Sequence, residues 1–313
     1  MVEFDEQRRP TAVWWPGSEA AGVNDESFVS LLHDMPTGAI THMQIDRTSV
    51  TDAGLAQLPM MPELASLWIS KPLTGGCFQV LSRFPKFRSL EARGVRWSAQ
   101  DAAALAKLPM LEWLILSGDD LESAAVTELA KLESVSGLQL VSYTKSNASA
   151  ESFARLVACS KLELLDLSGQ AIDDRTLEKL VRGLPELRRL IVGRTKVTDA
   201  SMAAVRTNQR LTNLDLSDTK VTTRGLASLE GLPNLDSLDL DGTDIGDEAV
   251  SLLSSFPKLG TLCLNRTRVT ESGVERLQAL HAAAHPRSRA QPASGFLPAP
   301  GPDEGPRIRV FLH

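Results

Sequence analysis

Ten segments of this chain repeat one pattern, L-x-x-L-x-L-x-x-T-x-V-T-D-x-G-L-x-x-L-x-x-L-P. Measured between the second leucine-type residues, successive segments lie 23 to 27 residues apart along the 313-residue sequence. A period in this range is typical of a solenoid, in which each unit packs only on its neighbours. The ten second leucine-type residues are Met43, Leu67, Leu90, Leu114, Leu138, Leu165, Leu190, Leu214, Leu238 and Leu262.

Each repeat predicts one short strand followed by one helix. The L-x-L segment alternates with a period of two, which indicates a half-buried strand. Thr or Asp before an apolar helical run is an N-cap signal, as in Thr51-Asp52 and Thr198-Asp199. Leu-Pro then ends the helix, because proline cannot continue it. Strands stack on one side and wider helices on the other, so we expect the array to curve with its strands on the concave face.

A threonine follows the strand in five of the repeats, five residues after the second leucine-type residue. The chain turns at this point, and a buried turn leaves backbone groups that need hydrogen-bond partners. A small hydroxyl group can both donate and accept. We therefore predict a threonine ladder with a structural role, made of Thr48, Thr195, Thr219, Thr243 and Thr267.

These residues resemble the leucine-rich repeat superfamily, most closely its ribonuclease-inhibitor-like and cysteine-containing branches, whose unit ends in I-T-D-x-G-L. Here Thr stands where the latter branch has its Cys, and L-P stands where it has C-P. Arrays of this kind look like those of bacterial repeat proteins. The resemblance covers about residues 40–280 and implies an α/β solenoid, a right-handed horseshoe with a parallel sheet on its concave face and helices on its convex face. It also implies that another protein binds the concave sheet.

The sequence outside the regular array divides into three segments. Residues 1–39 predict an N-terminal cap with a degenerate repeat, because an open solenoid end would expose core. Residues 281–306 are rich in Pro and Ala without periodicity, which predicts a flexible tail. Residues 307–313 alternate like a strand, which fits addition to a sheet edge, a docking peptide or a weakly attached terminus. Within the array, repeats between 67 and 170 break the consensus most, either for a function or through drift.

The composition argues against several classes of protein. A net charge of −6 lacks the basic footprint that nucleic acids require. The N-terminus has no apolar signal region, and no stretch approaches the roughly 18 apolar residues of a membrane span. We therefore expect a cytoplasmic, monomeric protein without cofactor or membrane contact.

Three cysteines in different repeats form no C-x-x-C pair, which argues against disulfides and a zinc site. They are Cys77, Cys159 and Cys263.

The side chains at the strand positions beside the leucines are expected to point away from the core, which predicts a binding surface. In the N-terminal half these positions carry large apolar residues, which favour an interaction site or, alternatively, pack sideways to stiffen the sheet. In the C-terminal half they carry carboxylates, which attract a basic partner or simply form a solvated face. The predicted partner-binding residues are Trp68, Trp113, Ile115, Val141, Leu164, Asp166, Asp215, Asp239 and Asp241.

The residues do not predict a catalytic or metal-binding constellation. Asp215 and Asp239 are expected one strand apart, but the repeat period explains them without a pocket or a nucleophile. The five histidines are scattered, and Gly75-Gly76 is not followed by the Lys and Ser or Thr of a phosphate-binding loop. We therefore expect no enzymatic activity.

The leading hypothesis is a non-catalytic scaffold that binds a protein or peptide on its concave sheet. One alternative is an inhibitor or immunity-type protein that clamps a basic toxin or enzyme. Another is a regulatory adaptor of an enzyme, of the GTPase-activating or ligase-adaptor type, with Arg194 and Arg266 as candidate loop arginines. A purely structural array without a specific ligand also remains open.

Overall fold

The computed structural model describes residues 2–14, 22–46, 48–70, 73, 76–95, 97–118, 121–143, 147–284 and 308–312. The chain divides into two compact units, Met1–Ile172 and Asp173–His313. Both units consist of consecutive strand–helix repeats. Among the residues given above, no helix has the length and apolar character that crossing a membrane requires.

The first unit has eight strands in sequence order over its described residues. β1 and β2 form an antiparallel pair, and β2 to β8 pair in parallel. The strands are β1 (Val2–Phe4), β2 (Pro10–Trp14), β3 (His42–Asp46), β4 (Ser66–Ser70), β5 (Ser89–Arg93), β6 (Trp113–Ser117), β7 (Gly137–Val141) and β8 (Leu164–Asp166). The helices are α1 (Asp25–Asp34), α2 (Asp52–Ala56), α3 (Ala99–Leu105), α4 (Ser123–Leu129) and α5 (Ala150–Ala154), with 3-10 turns at Thr37–Ala39, Phe78–Arg83 and Arg155–Ala158.

The second unit has five strands in sequence order, again counted over the part of the chain that the structure describes. All neighbouring pairs in this unit are parallel. The strands are β9 (Arg189–Ile191), β10 (Asn213–Asp215), β11 (Ser237–Asp239), β12 (Thr261–Cys263) and β13 (Arg309–Phe311). The helices are α6 (Asp174–Gly183), α7 (Met202–Val205), α8 (Thr223–Ser228), α9 (Val250–Leu253) and α10 (Glu271–Ala284), with 3-10 turns at Asp199–Ser201 and Asp247–Ala249.

The second leucine-type residues of the ten repeats lie in strands β3 to β12 and stack in register. In the first unit Leu67 pairs with Met43 on one side and Leu90 on the other. In the second unit Leu214 pairs with Leu190. All ten of these side chains are at most 2% exposed, so they form the core. The predicted leucine-rich repeat solenoid, a parallel α/β architecture, is confirmed.

Strands β1 and β2 lie outside the ten repeats and were not predicted as paired strands. Val13 of β2 pairs with Met43 and is 1% exposed, so β2 adds one strand before the first clear repeat. β1 folds back on β2 in antiparallel register. These strands escaped the sequence analysis because neither contains the L-x-L pattern that marks the others.

The threonine ladder has the structural role that the sequence predicted. The hydroxyl groups of Thr195, Thr219 and Thr243 each donate to the carbonyl oxygen three residues earlier, at 2.5 to 2.7 Å. These three threonines are 4 to 8% exposed. Each hydroxyl therefore satisfies a buried carbonyl group at the turn that follows its strand.

Aspartates at the helix starts link neighbouring repeats in the second unit. The Asp174 carboxylate accepts from the backbone N–H (2.9 Å) and the hydroxyl (2.7 Å) of Thr198, one repeat further on. Asp247 accepts in the same way from Thr270. In both pairs the threonine begins the next helical segment. The V-T-D motif is thus an N-cap and also a bond between repeats.

The last helix and last strand refine the predicted C-terminal boundaries. α10 ends at Ala284, so residues 281–284 are helical and the predicted start of the flexible tail at 281 lies too early. The remainder of that tail, with residue 307, lies outside the described residues. β13 pairs in parallel with β12. Of the three alternatives for residues 307–313, the structure therefore has the addition of a strand to the sheet edge.

Candidate interaction surface

The strand face of the first unit presents the side chains that alternate with the core leucines. Trp68 on β4 lies between Gln44 of β3 and Glu91 of β5 in the strand register. Ile115 on β6 continues this row beyond Glu91. Trp113 belongs to the neighbouring row, two strands away from β4, which places its backbone about 10 Å from that strand.

The Trp113 indole lies across the adjacent strand at Gly137. The two residues are opposite each other in the register of β6 and β7. A Cβ atom built on Gly137 would overlap three ring carbons of Trp113, so the indole occupies the space that the glycine leaves empty. Trp113 nevertheless remains 41% exposed. The ring therefore has one face supported by the sheet and another available to a partner.

Trp68 is the second exposed aromatic residue of this face, at 36% exposure. Its neighbour Glu91 is held by Arg93 of the same strand, whose Nε lies 2.6 Å from a carboxylate oxygen. Ile115 and Val141 are half-buried. Trp68, Trp113, Ile115 and Val141 are called the tryptophan surface below.

Two predicted partner-binding residues of the first unit are not exposed. Leu164 is 3% exposed and lies beside Gly137 in the strand register. Asp166 is 9% exposed, and its Oδ1 accepts from the backbone N–H (2.9 Å) and the hydroxyl (2.6 Å) of Ser168. The expectation that both side chains are available to a partner is therefore wrong.

Three predicted acidic residues lie together on the strand face of the second unit. Asp215 and Asp239 are direct neighbours in the register of β10 and β11, and both are half-buried. Asp241 follows β11 and accepts from the backbone N–H and the side-chain Nδ2 of Asn265, both at 2.7 Å. Asp215, Asp239 and Asp241 are called the acidic surface below.

Two of these carboxylates also close the turn that follows their own strand. Asp215 Oδ1 accepts from the backbone N–H of Ser217 at 2.8 Å, and Asp239 Oδ1 accepts from that of Asp241 at 2.9 Å. An aspartate that bonds the backbone two residues later forms an Asx turn. This structural use was missed, although the spacing Asp-x-Ser or Asp-x-Asp signals it in the sequence.

Burial and like charges perturb the titration of this surface. Burial, reinforced by the charges of Asp215, Asp241 and Asp218, raises the pKa of Asp239 to about 6. Burial and the charges of Asp239, Asp241 and Asp215 raise the pKa of the Cys263 thiol to about 11. The acidic surface therefore carries a negative potential, and Cys263 remains a protonated thiol at neutral pH.

The candidate loop arginines occupy a tight turn between the strand and the threonine ladder. Arg194, Asp218 and Arg266 have φ angles of 56°, 51° and 58°, and Gly242 fills the equivalent position at 67°. Arg266 also forms an ion pair with Asp218 at 3.0 Å, and this contact raises the pKa of the Arg266 guanidinium. The positions of these residues therefore follow from a turn that four successive repeats of the second unit share.

Among the described residues, one group of side chains has the spacing of a metal site. Ligand atoms of Asp239, Asp241 and Cys263 lie within 4.8 Å of one another. Both oxygens of Asp241 already accept from Asn265, and the Cys263 thiol keeps its proton at neutral pH. Since thiols bind metals as thiolates, this arrangement does not fit a metal ion well.

Comparison with known proteins agrees with the repeat architecture. The family model described as leucine rich repeat matches residues 185–245. No curated protein sequence matches the chain. Among solved structures, an internalin (InlF) of Listeria monocytogenes is similar at 19% identity, over 76% of this chain and 65% of that one, with a TM-score of 0.53.

Two further solved structures resemble the chain less well. The plant peptide hormone receptor RGFR1, in complex with RGF2, has 15% identity over 77% of this chain and 46% of that one, with a TM-score of 0.45. Internalin C2 of Listeria monocytogenes has 23% identity over 74% of this chain and 80% of that one, with a TM-score of 0.42. The chain spans less than two thirds of the first two of these three proteins. The family match at residues 185–245 and the stacked repeats both agree with a leucine-rich repeat architecture.

Proposed function

We propose that this protein is an interaction scaffold that binds a protein or peptide partner on its strand face, through the tryptophan surface. The observation that carries the proposal is the state of Trp113, which rests on Gly137 and still exposes 41% of its surface. Large aromatic residues that are exposed and held in place are typical of binding hot spots. The proposal assigns no catalytic role to the chain.

The support from Gly137 lowers the entropic cost of binding. A flexible exposed tryptophan loses rotamer freedom when a partner immobilises it. The Trp113 ring already lies against the sheet, so less of that freedom remains to be lost. Trp68 adds a second apolar contact on a strand two positions away, which fits a partner that extends across several strands.

The surroundings of the two tryptophans indicate a partner with few charges at its centre. The strand residues beside Trp68 are Gln44 and Glu91, and Arg93 neutralises Glu91. Trp113 lies between Ser89 and Gly137. Interface centres are generally poor in charged residues and rich in aromatic ones, with polar groups at the rim.

A capture experiment tests the proposal. Purified protein is immobilised and exposed to a lysate of the organism that encodes it, and bound proteins are identified by mass spectrometry. The test variant is Trp68→Ala/Trp113→Ala. The matched control is Phe4→Ala/Met60→Ala, which removes two apolar side chains of the same unit that are 58% and 54% exposed and lie outside the tryptophan surface.

The proposal expects a partner that wild type and control retain and the tryptophan variant loses. Circular dichroism of all three proteins checks that the fold is unchanged. A partner retained equally by both variants contradicts the proposal, as does the absence of any partner that depends on the tryptophans.

A second candidate function is a clamp for a basic protein, of the inhibitor or immunity type, through the acidic surface. The observation that favours it is the placement of Asp215 directly beside Asp239 on neighbouring strands, where burial and the neighbouring carboxylates raise the pKa of Asp239 to about 6. Cationic side chains are attracted to such a surface, and the attraction weakens with salt.

This second candidate predicts a partner whose affinity falls as pH drops through about 6, where Asp239 gains its proton. The variant Asp215→Asn/Asp239→Asn should lose most of the salt dependence. The control Glu230→Gln/Asp236→Asn changes the net charge by the same amount at exposed sites, and its binding should keep the salt dependence of wild type. Equal behaviour of the two variants would leave no role for the acidic surface.

A further inference from the structure

The edge of β12 is occupied by a strand from the end of the same chain. β13 pairs with β12 in parallel, with Val310 opposite Leu262. The backbone N–H of Arg309 donates to the carbonyl oxygen of Gly260 at 2.8 Å, and the N–H of Leu264 donates to that of Phe311 at 2.9 Å. Main-chain hydrogen bonds of this kind join a peptide to a sheet whatever its side chains are.

The side chains of residues 308–312 alternate between the core and the strand face. Ile308 is 3% exposed and Val310 is half-buried. Arg309 and Phe311 are exposed, Phe311 at 46%. Selectivity at this edge therefore lies in two alternate apolar positions, which is how strand-addition sites distinguish their peptides.

The occupying strand is more weakly embedded than the strands of the repeats. β3 to β12 each carry a fully buried leucine-type residue and are followed by a helix or a 3-10 turn. In β13 the residue opposite Leu262 is Val310, which is only half-buried. Within residues 308–312, only the Ile308 side chain is fully buried. The β12 edge thus holds a segment with the size and pattern of a peptide ligand.

We propose that the edge of β12 is a second binding site, for an extended peptide that adds as a parallel strand, and that residues 308–312 are its internal ligand. The partner peptide carries Ile- or Val-like residues at the positions of Ile308 and Val310, and any residue is accepted at the position between them. It displaces β13, which holds the site through its high effective concentration on the same chain. This site lies in the second unit and is independent of the tryptophan surface.

The test measures binding of a fluorescent peptide with the sequence of residues 307–313, Arg-Ile-Arg-Val-Phe-Leu-His. Full-length wild type is compared with full-length Ile308→Asp, in which a buried carboxylate weakens the internal strand. We expect the peptide to bind Ile308→Asp at least about tenfold more tightly than wild type, because the internal competitor is weakened. Equal affinity for both proteins, or no binding to the variant, overturns the proposal.

Altered peptides separate strand addition from general stickiness. A peptide with Arg309→Pro lacks the N–H that donates to Gly260 and should bind about tenfold more weakly or not at all. A peptide with Ile308→Asp should also fail to bind. If either peptide binds as well as the natural sequence, strand addition at this edge is contradicted.

Hydrogen exchange locates the binding and guards against a variant that is merely unfolded. The Leu264 amide should lose protection in Ile308→Asp and regain it when the natural peptide is added, because that amide donates to Phe311. Full-length Arg309→Ser alters an exposed side chain and should behave as wild type. If Ile308→Asp does not fold, Val310→Ser is the milder substitute. A folded variant whose Leu264 amide stays unprotected with bound peptide overturns the proposal.

Discussion

The carboxylate of Asp199 occupies the space that a Cβ atom on Gly225 would need. Asp199 accepts from the backbone N–H and the hydroxyl of Thr222, both at 2.7 Å, and so binds its own repeat to the next one. The glycine of the T-D-x-G-L motif here leaves room for the aspartate of the preceding repeat. Asp247 and Gly273 repeat the arrangement in the same unit.

Repeats that depart from the motif accommodate this position in other ways. Thr223 stands at the aspartate position of its repeat, and the next repeat has Ala249 where the motif has glycine. After Asp174, the equivalent position is Ser201, whose hydroxyl donates to that carboxylate at 2.7 Å. The side chain tolerated at this position thus depends on the residue one repeat earlier.

Gly225→Ala should lower the free energy of unfolding by about 2 kcal/mol, because the added methyl group displaces Asp199 and breaks its bonds to Thr222. Urea denaturation provides the measurement. In an Asp199→Ala background the same change should cost less than about 0.5 kcal/mol, which a double-mutant cycle detects. Gly38→Ala, where a Cβ meets nothing within 4 Å, is the control. An identical cost in both backgrounds rules out the steric coupling.

Trp97→Ala and Trp113→Ala should differ strongly in their effect on stability. Trp97 is 4% exposed and stacks on Phe78 with ring centroids 4.8 Å apart, so its removal should cost about 4 kcal/mol. Trp113 rests on the outside of the sheet, and its removal should cost about 1 kcal/mol. Thermal or urea unfolding compares the two. A larger loss at Trp113 would indicate a structural role and weaken its assignment to binding.

Asp239→Asn should stabilise the protein near neutral pH and not in acid. In the folded state Asp239 loses its proton at a pH of about 6, its raised pKa. In the unfolded state it loses the proton near 3.8, the ordinary pKa of an aspartate. Stability contributed by this group therefore falls as pH rises through that window. Because the residue is only half-buried, we expect a gain on the order of 1 kcal/mol at neutral pH after solvent screening.

Unfolding of wild type and Asp239→Asn at several pH values measures this effect. In the variant Asp215→Asn the midpoint should move to lower pH, because a neighbouring charge that raises the Asp239 pKa is removed. A carboxyl carbon titration followed by NMR reports the midpoint directly. Parallel stability curves for wild type and Asp239→Asn would show that the Asp239 pKa is not raised.

Thr219→Val should destabilise the protein by about 1 to 2 kcal/mol, because the buried carbonyl of Leu216 loses its hydroxyl partner. The bond is 2.6 Å long and the threonine is 7% exposed. Thr212→Val is the control, since its hydroxyl bonds the Arg188 carbonyl at 3.1 Å in a more accessible place where water can substitute. Equal losses at both sites would contradict a special role for the buried ladder.

Some features of the site follow from local sequence and others do not. The exposure of Trp68 and Trp113 follows from strand alternation alone, because each lies beside a core leucine. The burial of Leu164 does not, although Leu164 also lies beside a core leucine. Asp166 was wrongly expected to be available to a partner. Its carboxylate accepts from Ser168 in the turn that follows its own strand, and strand alternation does not predict this bond.

The repeat period was sufficient to predict strands β3 to β12, the helix starts, the threonine ladder and the leucine core, because each depends on residues that are close along the chain. Which side chain covers which depends on residues a full repeat apart, and these meet only through strand register and side-chain volume. The Asp199–Gly225 contact, the support of Trp113 and the docking of β13 on β12 all belong to this second group. Tertiary packing therefore determines which of the positions left free by the repeat can bind a partner.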